Sequence, residues 1–179
     1  MIKEIIIAGF GGQGVMLMGQ ILAGAGMLEN KEVSWLPSYG PEMRGGTANC
    51  HVIVSSERIS SPFVGEPDVV VAMNLPSMDK FTPQLKKGGL LIINSSLIDS
   101  EPQRQDIRVI KIPANELAAE VGSDRAANMV ALGAVVEKLK IVEVDSIISS
   151  LKDNLPERHH RLIPLNEEAI KRGMDAARE

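Results

Sequence analysis

The stretch of sequence that decides the fold is Ile5-Ile6-Ile7-Ala8-Gly9-Phe10-Gly11-Gly12-Gln13-Gly14-Val15. An apolar, largely β-branched run stops at a cluster of glycines, and an uncharged segment with a helical pattern follows it. Gly9, Gly11 and Gly14 fit the G-x-G-x-x-G pattern of the strand-to-helix loop that receives pyrophosphate in dinucleotide-binding folds. Glycines let backbone N–H groups approach an anion closely, and the following helix offers its positive end. The pattern raises the question of whether a nucleotide binds here.

The length and composition are typical of one ordinary globular domain. The chain has 179 residues, of which 44% are hydrophobic and 23% are charged, and this is enough to bury a core without outside support. We therefore expect a single domain over residues 1–179. The net charge of −4 argues against nucleic acid or an anionic membrane surface as a partner, because both require a basic face.

The uncharged segment from Ile5 to Leu28 resembles a membrane span or an export signal only superficially. It contains five glycines from Gly9 to Gly19, and each glycine costs a helix interior about 1 kcal/mol relative to alanine. A buried parallel strand followed by a buried helix accounts for the same residues. No membrane partner is therefore predicted.

Cysteine and histidine usage limits the chemistry. Cys50 is the single cysteine, so the chain alone can form no disulfide framework, no four-cysteine zinc site and no protein-ligated iron–sulfur cluster. We expect Cys50 to be a buried core thiol, and a single cysteine fits a reducing, cytoplasmic environment.

His159 and His160 have no cysteine or acid at a known ligand spacing, so no metal site is predicted. No nucleophile–base pair has a recognisable sequence context, so no residue is assigned as catalytic.

The order of apolar runs and turn residues predicts an α/β fold. Residues 2–8 predict a central strand, residues 13–29 a helix and residues 32–36 a second strand, which together form a right-handed βαβ unit. A strand is predicted over 47–55, and Arg58–Ser60 is expected to pair back on it. The predicted fold is a three-layer α/β/α arrangement with a Rossmann-like, mostly parallel sheet and this antiparallel hairpin as an addition.

The rest of the chain continues the alternation of strand and helix. Asn74 is expected to cap a helix near Pro76, and Asn166 is expected to cap the last helix of the chain. The remaining predicted elements are strands at 69–73, 90–94 and 107–112, and helices at 76–86, 115–121, 128–139 and 144–151. This succession is typical of a sheet whose strands are mostly parallel.

A dinucleotide site needs one further feature, an Asp or Glu at the end of the second strand that accepts hydrogen bonds from the ribose hydroxyls. Here that strand ends in Trp35-Leu36-Pro37-Ser38. It offers no acid, and no Arg that would bind a 2′-phosphate instead. Glu29 and Glu32 lie before the strand or at its start, at the wrong end of the sheet. The glycine loop alone therefore does not predict NAD binding.

A second glycine-rich loop follows directly, Ser38-Tyr39-Gly40-Pro41-Glu42-Met43-Arg44-Gly45-Gly46-Thr47-Ala48-Asn49. Gly40-Pro41 cannot be a helix interior, and Gly45-Gly46 frees the backbone again. Two interpretations stay open. In one, Glu42 and Arg44 pair only to brace the loop. In the other, Arg44 binds an anion, and the flanking backbone amides complete the cradle.

The two glycine-rich motifs, at 9–15 and 38–49, resemble those of the gamma subunit of 2-oxoacid:ferredoxin oxidoreductases. The resemblance continues through Ser61-Pro62 and Pro67-Asp68 and covers essentially the whole chain. The sequence Pro-Glu-Met-Arg-Gly-Gly-Thr at 41–47 is most similar to the four-subunit members of the 2-oxoglutarate type or branched-chain type. Two alternatives are kept. One is the related indolepyruvate oxidoreductase beta subunit, which has the same architecture, and the other is a free-standing nucleotide-binding module that uses the glycine loop.

The resemblance implies an enzyme that decarboxylates a 2-oxoacid on thiamine diphosphate, passes electrons through iron–sulfur clusters to ferredoxin, and releases CO2 and acyl-CoA. It implies that thiamine diphosphate and the clusters lie on the partner alpha, beta and delta subunits. This chain would be a structural subunit, inactive alone, that helps to form the CoA environment. The candidate CoA-binding residues are Gly11, Gly12, Gln13, Gly14, Glu42, Arg44, Gly45, Gly46 and Thr47.

Overall fold

Within residues 1–38 and 47–178, the part of the chain that this computed structural model describes, a six-stranded sheet forms the centre of the molecule. The side chain of Thr47 lies outside that description. The strands are β1 (Ile2–Phe10), β2 (Glu32–Ser38), β3 (Thr47–Ser55), β4 (Val69–Ala72), β5 (Leu90–Asn94) and β6 (Arg108–Ile112). Their order across the sheet is β2-β3-β1-β4-β5-β6.

The interior strands are runs of β-branched residues because both faces of the sheet are covered. Ile5, Ile6 and Ile7 of β1 are all fully buried, although successive side chains point to opposite faces. Every residue of β4 and of β5 is buried as well. Such continuous apolar runs are typical of parallel strands covered on both faces, and β1, β4, β5 and β6 are indeed paired in parallel.

Strand β3 runs in the opposite direction to the other five and lies between β1 and β2. It pairs antiparallel with β1 from Ile2 opposite Ser55 to Phe10 opposite Thr47, and antiparallel with β2 on its other edge. The predicted pairing of Arg58–Ser60 with this strand was therefore wrong, since both edges of β3 are occupied and those residues form no strand. The antiparallel hairpin of the fold is β2–β3, and β2 is parallel to β1 without being its neighbour.

Helices cover the two faces of the sheet unequally. The helices are α1 (Val15–Leu28), α2 (Leu75–Phe81), α3 (Ala114–Glu120), α4 (Ala127–Leu139), α5 (Val144–Asn154) and α6 (Ile163–Arg178). One face packs into a large core with α1, α3, α4, α5 and α6, and the other packs into a smaller core with α2 and loop residues such as Val64 and Ile98. The predicted three-layer α/β/α class is confirmed, with one thin outer layer. No helix in the described ranges is both long enough and apolar enough to cross a membrane.

Helices α4 and α6 cross at a very short distance. A Cβ on Gly133 would overlap the carbonyl oxygen of Ile170, and a Cβ on Gly173 would overlap that of Val130. Helix α6 begins at Ile163, so the prediction that Asn166 caps it was wrong. Pro164 explains the earlier start, because a proline in the first turn presets φ and removes an N–H that has no helical partner there.

Replacing Gly173 with alanine tests the α4–α6 crossing. The added Cβ would overlap the backbone of α4 and force the helices apart, so we expect the free energy of unfolding to fall by about 1–3 kcal/mol. Gly65→Ala is the matched control, because the nearest atom to its Cβ would be 3.9 Å away, and it should change stability by less than about 0.5 kcal/mol. Urea unfolding followed by circular dichroism measures both variants. Equal stability of the two variants would contradict the close crossing.

Candidate functional site

The glycine loop connects β1 to α1 at the carboxyl ends of the parallel strands. Gly12 and Gly14 have φ values of 95° and 71°, in the left-handed region that side chains disfavour. The Gln13 N–H donates a hydrogen bond to the Phe10 carbonyl over 3.1 Å, which closes the loop. A Cβ on Gly14 would also overlap the side-chain amide of Asn128. Local turn geometry and close packing therefore both require glycine at position 14.

The side chain of Gln13 ties the loop to the neighbouring strand β4. Its Oε1 accepts hydrogen bonds from the Phe10 N–H at 2.6 Å and from Asn74 Nδ2 at 3.2 Å, and its Nε2 donates to the Met73 carbonyl at 3.1 Å. Asn74 in turn accepts from the Ser77 N–H at 2.9 Å, which confirms the predicted cap of α2. The amide of Gln13 is thus engaged within the protein, so this residue shapes the loop through its side chain.

Three helices begin around the glycine loop. Helix α1 follows Gly14 directly, the Gln13–Asn74 hydrogen bond places the start of α2 beside the loop, and Asn128 in the first turn of α4 donates to the Gly14 carbonyl over 3.4 Å. None of the three helices has an acidic residue in its first turn. The Asn74 side chain caps α2, and Asp124 lies in the short 3-10 turn directly before α4, so the N-terminus that no side chain caps or neutralises is that of α1. A helix N-terminus of this kind is favourable for an anion.

The sequence did not reveal the role of Asn128. The sequence predicts a helix that begins at Asn128, but the contact of Asn128 with Gly14 joins residues 114 positions apart. Asn128 is 6% exposed, and Gly14 leaves the space in which its amide lies. No local pattern signals such a contact.

The second glycine-rich loop ends beside the first and begins one strand further across the sheet. Thr47, the first residue of β3, stands opposite Phe10 at the end of β1, and Ser38, the last residue of β2, stands opposite Asn49. The end of the second motif, at Thr47, therefore lies at the same end of the sheet as the glycine loop. The predicted ligand residues Glu42, Arg44, Gly45 and Gly46 lie outside the described residues, as does the side chain of Thr47.

The position of β2 also explains the missing ribose-binding acid. In a dinucleotide-binding fold the second strand is the direct neighbour of the first, so that its last residue reaches the nucleotide at the glycine loop. Here β3 lies between them, and the end of β2 is displaced from β1 by one strand. An acid at the end of β2 would therefore not be adjacent to the loop.

Cys50 and His51 are core residues beneath this edge. The Cys50 thiol is fully buried and donates to the Val15 carbonyl over 3.4 Å, and burial raises its pKa to about 12. His51 accepts a hydrogen bond at Nδ1 from the Val64 N–H over 3.1 Å, and burial lowers the pKa of its ring. Both groups are therefore uncharged near neutral pH. Within residues 1–38 and 47–178, no three His, Cys, Asp or Glu side chains are grouped to hold a metal ion.

The family of the chain follows from comparison with known sequences. The sequence profile of the family described as "Pyruvate ferredoxin/flavodoxin oxidoreductase" matches residues 4–176. The chain belongs to this family. The predicted resemblance to 2-oxoacid:ferredoxin oxidoreductase subunits is thereby confirmed.

Individual relatives agree in sequence and in fold. The chain is 42% identical to the ketoisovalerate oxidoreductase subunit VorA of Methanothermobacter marburgensis over 179 residues, covering 98% of this chain but 37% of that protein. It superposes on the gamma subunit of a keto/oxoacid ferredoxin oxidoreductase from Geobacter sulfurreducens with a TM-score of 0.85 and 32% identity, covering 98% of both chains. A 2-oxoglutarate:ferredoxin oxidoreductase from Magnetococcus marinus, with 2-oxoglutarate, coenzyme A and succinyl-CoA bound, gives a TM-score of 0.89 and 28% identity over 99% of this chain and 31% of that one.

Replacing Gln13 with leucine tests its role in bracing the loop. The change removes the acceptor of the Phe10 N–H and the donor to the Met73 carbonyl, and we expect a loss of about 1–3 kcal/mol in the free energy of unfolding. Gln84→Leu is the control, because the Gln84 amide makes a single exposed bond within one helical turn, and it should cost less than about 0.5 kcal/mol. Chemical unfolding measures the difference. A Gln13→Leu protein as stable as the Gln84 control would rule out the brace.

Proposed function

We propose that the chain is the gamma subunit of a thiamine diphosphate-dependent 2-oxoacid:ferredoxin oxidoreductase. The complex converts a 2-oxoacid and CoA to acyl-CoA and CO2 and reduces ferredoxin. The gamma subunit contributes the glycine-loop edge of the sheet, where it binds phosphate groups of CoA. The proposal rests above all on the open glycine loop at the start of α1, a helix whose first turn has no acid and whose N-terminus no side chain caps.

The occurrence of this fold both alone and inside longer chains supports assembly with a partner. The Geobacter sulfurreducens gamma subunit is matched over 98% of its own length. The chain spans only about a third of the VorA protein and of the Magnetococcus marinus chain. A domain that is a separate chain in one protein and joined to another segment in its relative is expected to contact that segment in both. We therefore propose alpha, beta and delta subunits as partners in a cytoplasmic complex.

The glycine loop fits a phosphate group in shape as well as in charge. Within the described part of the chain, no atom lies within 4 Å of the position that a Cβ on Gly12 would occupy, so the backbone there is open to a ligand. The first N–H groups of α1 have no helical acceptors, and they point out of its N-terminus. Arg44 in the second loop would add a side-chain cation, with Glu42, Gly45, Gly46 and Thr47 completing the proposed CoA environment.

The other cofactors are assigned to the partner subunits. Thiamine diphosphate supplies the carbanion stabilisation that 2-oxoacid decarboxylation requires. An iron–sulfur cluster needs several cysteine thiolates, whereas Cys50 is single, buried and protonated near neutral pH. What this chain does is bind and orient the CoA phosphates and contribute to a surface that a partner covers.

Reconstitution tests the subunit assignment. The purified chain alone should not reduce ferredoxin or a viologen dye with 2-oxoglutarate or ketoisovalerate, and activity should appear when the partner subunits are added. Dye reduction is followed by absorbance, and CoA consumption by thiol titration. Turnover by the chain alone would refute the assignment. Tight calorimetric binding of NAD or FAD to the isolated chain would favour a free-standing nucleotide-binding module instead.

Gly12→Ala tests the phosphate site in the reconstituted complex. The methyl group would enter the open space above the loop, so we expect the KM for CoA to rise about tenfold or more, the loss of one charge-assisted hydrogen bond. Gly88→Ala is the matched control. Gly88 has a φ of 76° and equally open surroundings, but it lies before β5, at the amino-terminal end of the parallel strands and away from the glycine loop. Arg44→Ala should raise the same KM. If Arg44→Ala and Gly12→Ala impair assembly but leave the KM for CoA unchanged, the subunit assignment survives and the CoA site does not.

A further inference from the structure

The segment that joins β3 to β4, residues 56–68, covers the smaller-core face of β3. It contains no helix or strand, and it packs Ile59 and the fully buried Val64 into the smaller core. Helix α2 lies on the same face but packs against β1 and β4. The cover of β3 on this face therefore depends on how residues 57–66, here called the β3–β4 loop, are held in place.

One side chain of the sheet holds the middle of this loop. The Val64 N–H donates to Nδ1 of His51 over 3.1 Å, and the Phe63 ring lies against the His51 ring with 5.2 Å between the ring centroids. Among the described residues, this is the one hydrogen bond that joins residues 58–66 to the sheet. Val64 is fully buried and His51 is 8% exposed, so water does not readily replace either partner. Attachment of the loop therefore depends on an acceptor at Nδ1.

The hydrogen bond requires an uncharged His51 ring. A neutral imidazole has one N–H and one acceptor nitrogen, so acceptance at Nδ1 places the ring proton on Nε2. A second proton would bind to Nδ1, which would then face the Val64 N–H as a second donor. The same proton would place a positive charge in a buried site, which is costly without a charged partner.

The charged groups around this face do not offset that cost. His51 stands opposite the apolar residues Ile6 of β1 and Leu36 of β2. Glu4 and Glu32 lie on the same face of these strands, two and four residues further along. The other charged side chains of the surrounding segments are exposed or ion-paired, and they are Glu57, Arg58, Glu66, Asp68, Asp79, Lys80 and Lys86. Burial lowers the pKa of the His51 ring, with no contribution from an acid in the described ranges.

We propose that His51 is a pH-sensitive latch for the β3–β4 loop, which holds the loop closed while Nδ1 accepts from Val64 and releases it when a proton binds there. Release frees Phe63 and Val64 and uncovers Ile53 of β3, which the loop and its neighbours bury in the smaller core. The latch is independent of the CoA site, because it uses the middle of β3 rather than the glycine loop.

The direction of the pH effect follows from proton linkage. A proton binds more readily to His51 in the open loop, where water solvates the ring, so acid favours opening. Opening is suppressed at a pH well above 6.5, the ordinary pKa of histidine. It grows as the pH falls through 6.5 and stops growing once the ring of the closed loop is protonated as well.

Amide hydrogen exchange of the full chain between about pH 7.5 and about pH 4.5 tests the latch. The protection factor of the Val64 amide, corrected for the intrinsic pH dependence of exchange, should fall as the His51 Cε1 proton titrates in NMR spectra. The total fall should be about tenfold for each pH unit by which the His51 midpoint lies below 6.5. The Ile92 amide, in the middle of the sheet, should keep its protection, because the opening is local. Constant protection of Val64 throughout the His51 titration, or an equal loss at Ile92, overturns the proposal.

Variants separate the latch from other effects of acid. His51→Asn provides a side-chain oxygen that accepts at every pH, so the protection of Val64 should not change with pH. His51→Leu removes the acceptor and should give about tenfold less protection than His51→Asn at neutral pH. A His51→Asn protein whose Val64 amide loses protection in acid as the unmodified chain does overturns the proposal.

The two remaining histidines of the chain provide the matched control. His159 and His160 lie in the short 3-10 segment before α6, so the double variant His159→Gln/His160→Gln removes every histidine titration except that of His51. The fall in protection at Val64 should be the same as in the unmodified chain, within about twofold. Loss of the pH effect in this variant would assign it to the exposed histidines and refute the latch.

Discussion

The antiparallel pairing of β3 with β1 is the constraint on which the candidate site depends. β3 is bonded along both edges, with its last residue, Ser55, opposite the first of β1, and its first residue, Thr47, opposite the last. Cys50, Val52 and Val54 point into the larger core and Ile53 into the smaller one. A shift of one residue would turn every one of these side chains to the opposite face, so burial on both faces fixes the register. That register places Thr47 opposite Phe10, at the start of the glycine loop.

The electrostatics of this edge differ from those of the rest of the molecule. Acidic residues in the first turn are favourable because they neutralise the helix dipole, and α3 and α5 have Glu116 and Asp145 there. The three helices that meet at the glycine loop have none, although the net charge of the chain is −4. The start of α1 is also uncapped by any side chain, and such a helix end favours binding of an external anion. Contacts of Gln13 and Asn128 within the protein hold these helix ends together.

Local sequence patterns predicted most helices and strands correctly, but they predicted the order of the strands and the contacts between helices less well. The β-branched runs, the glycine loop and the Asn74 cap depend on neighbours in sequence, and all three are as predicted. The position of β3 depends on non-local pairing. Arg58–Ser60 is a nearby partner in sequence across a turn at Ser56, but β3 instead pairs with β1 over nine residues and with β2 over seven. The contact between Asn128 and Gly14 is likewise invisible in the sequence, because it depends on how α4 packs across α1. The main helices and strands and the Asn74 cap were thus predictable, whereas the start of α6 and the convergence of helix ends were not.

The openness of the glycine-loop edge gives the proposed assembly a physical role in ligand binding. Backbone amides that face water bind phosphate weakly, since water competes for them and screens the charge. Phe10 ends β1, and Leu75 and Leu97 follow the neighbouring strands β4 and β5; these side chains are 37%, 40% and 49% exposed. In the proposed complex, a partner that covers these side chains buries apolar surface and excludes water from the adjacent amides, which strengthens their hydrogen bonds to an anion. Assembly and CoA binding would then stabilise each other: this chain supplies the geometry of the anion site, and the partner supplies the dry surroundings in which that geometry binds tightly.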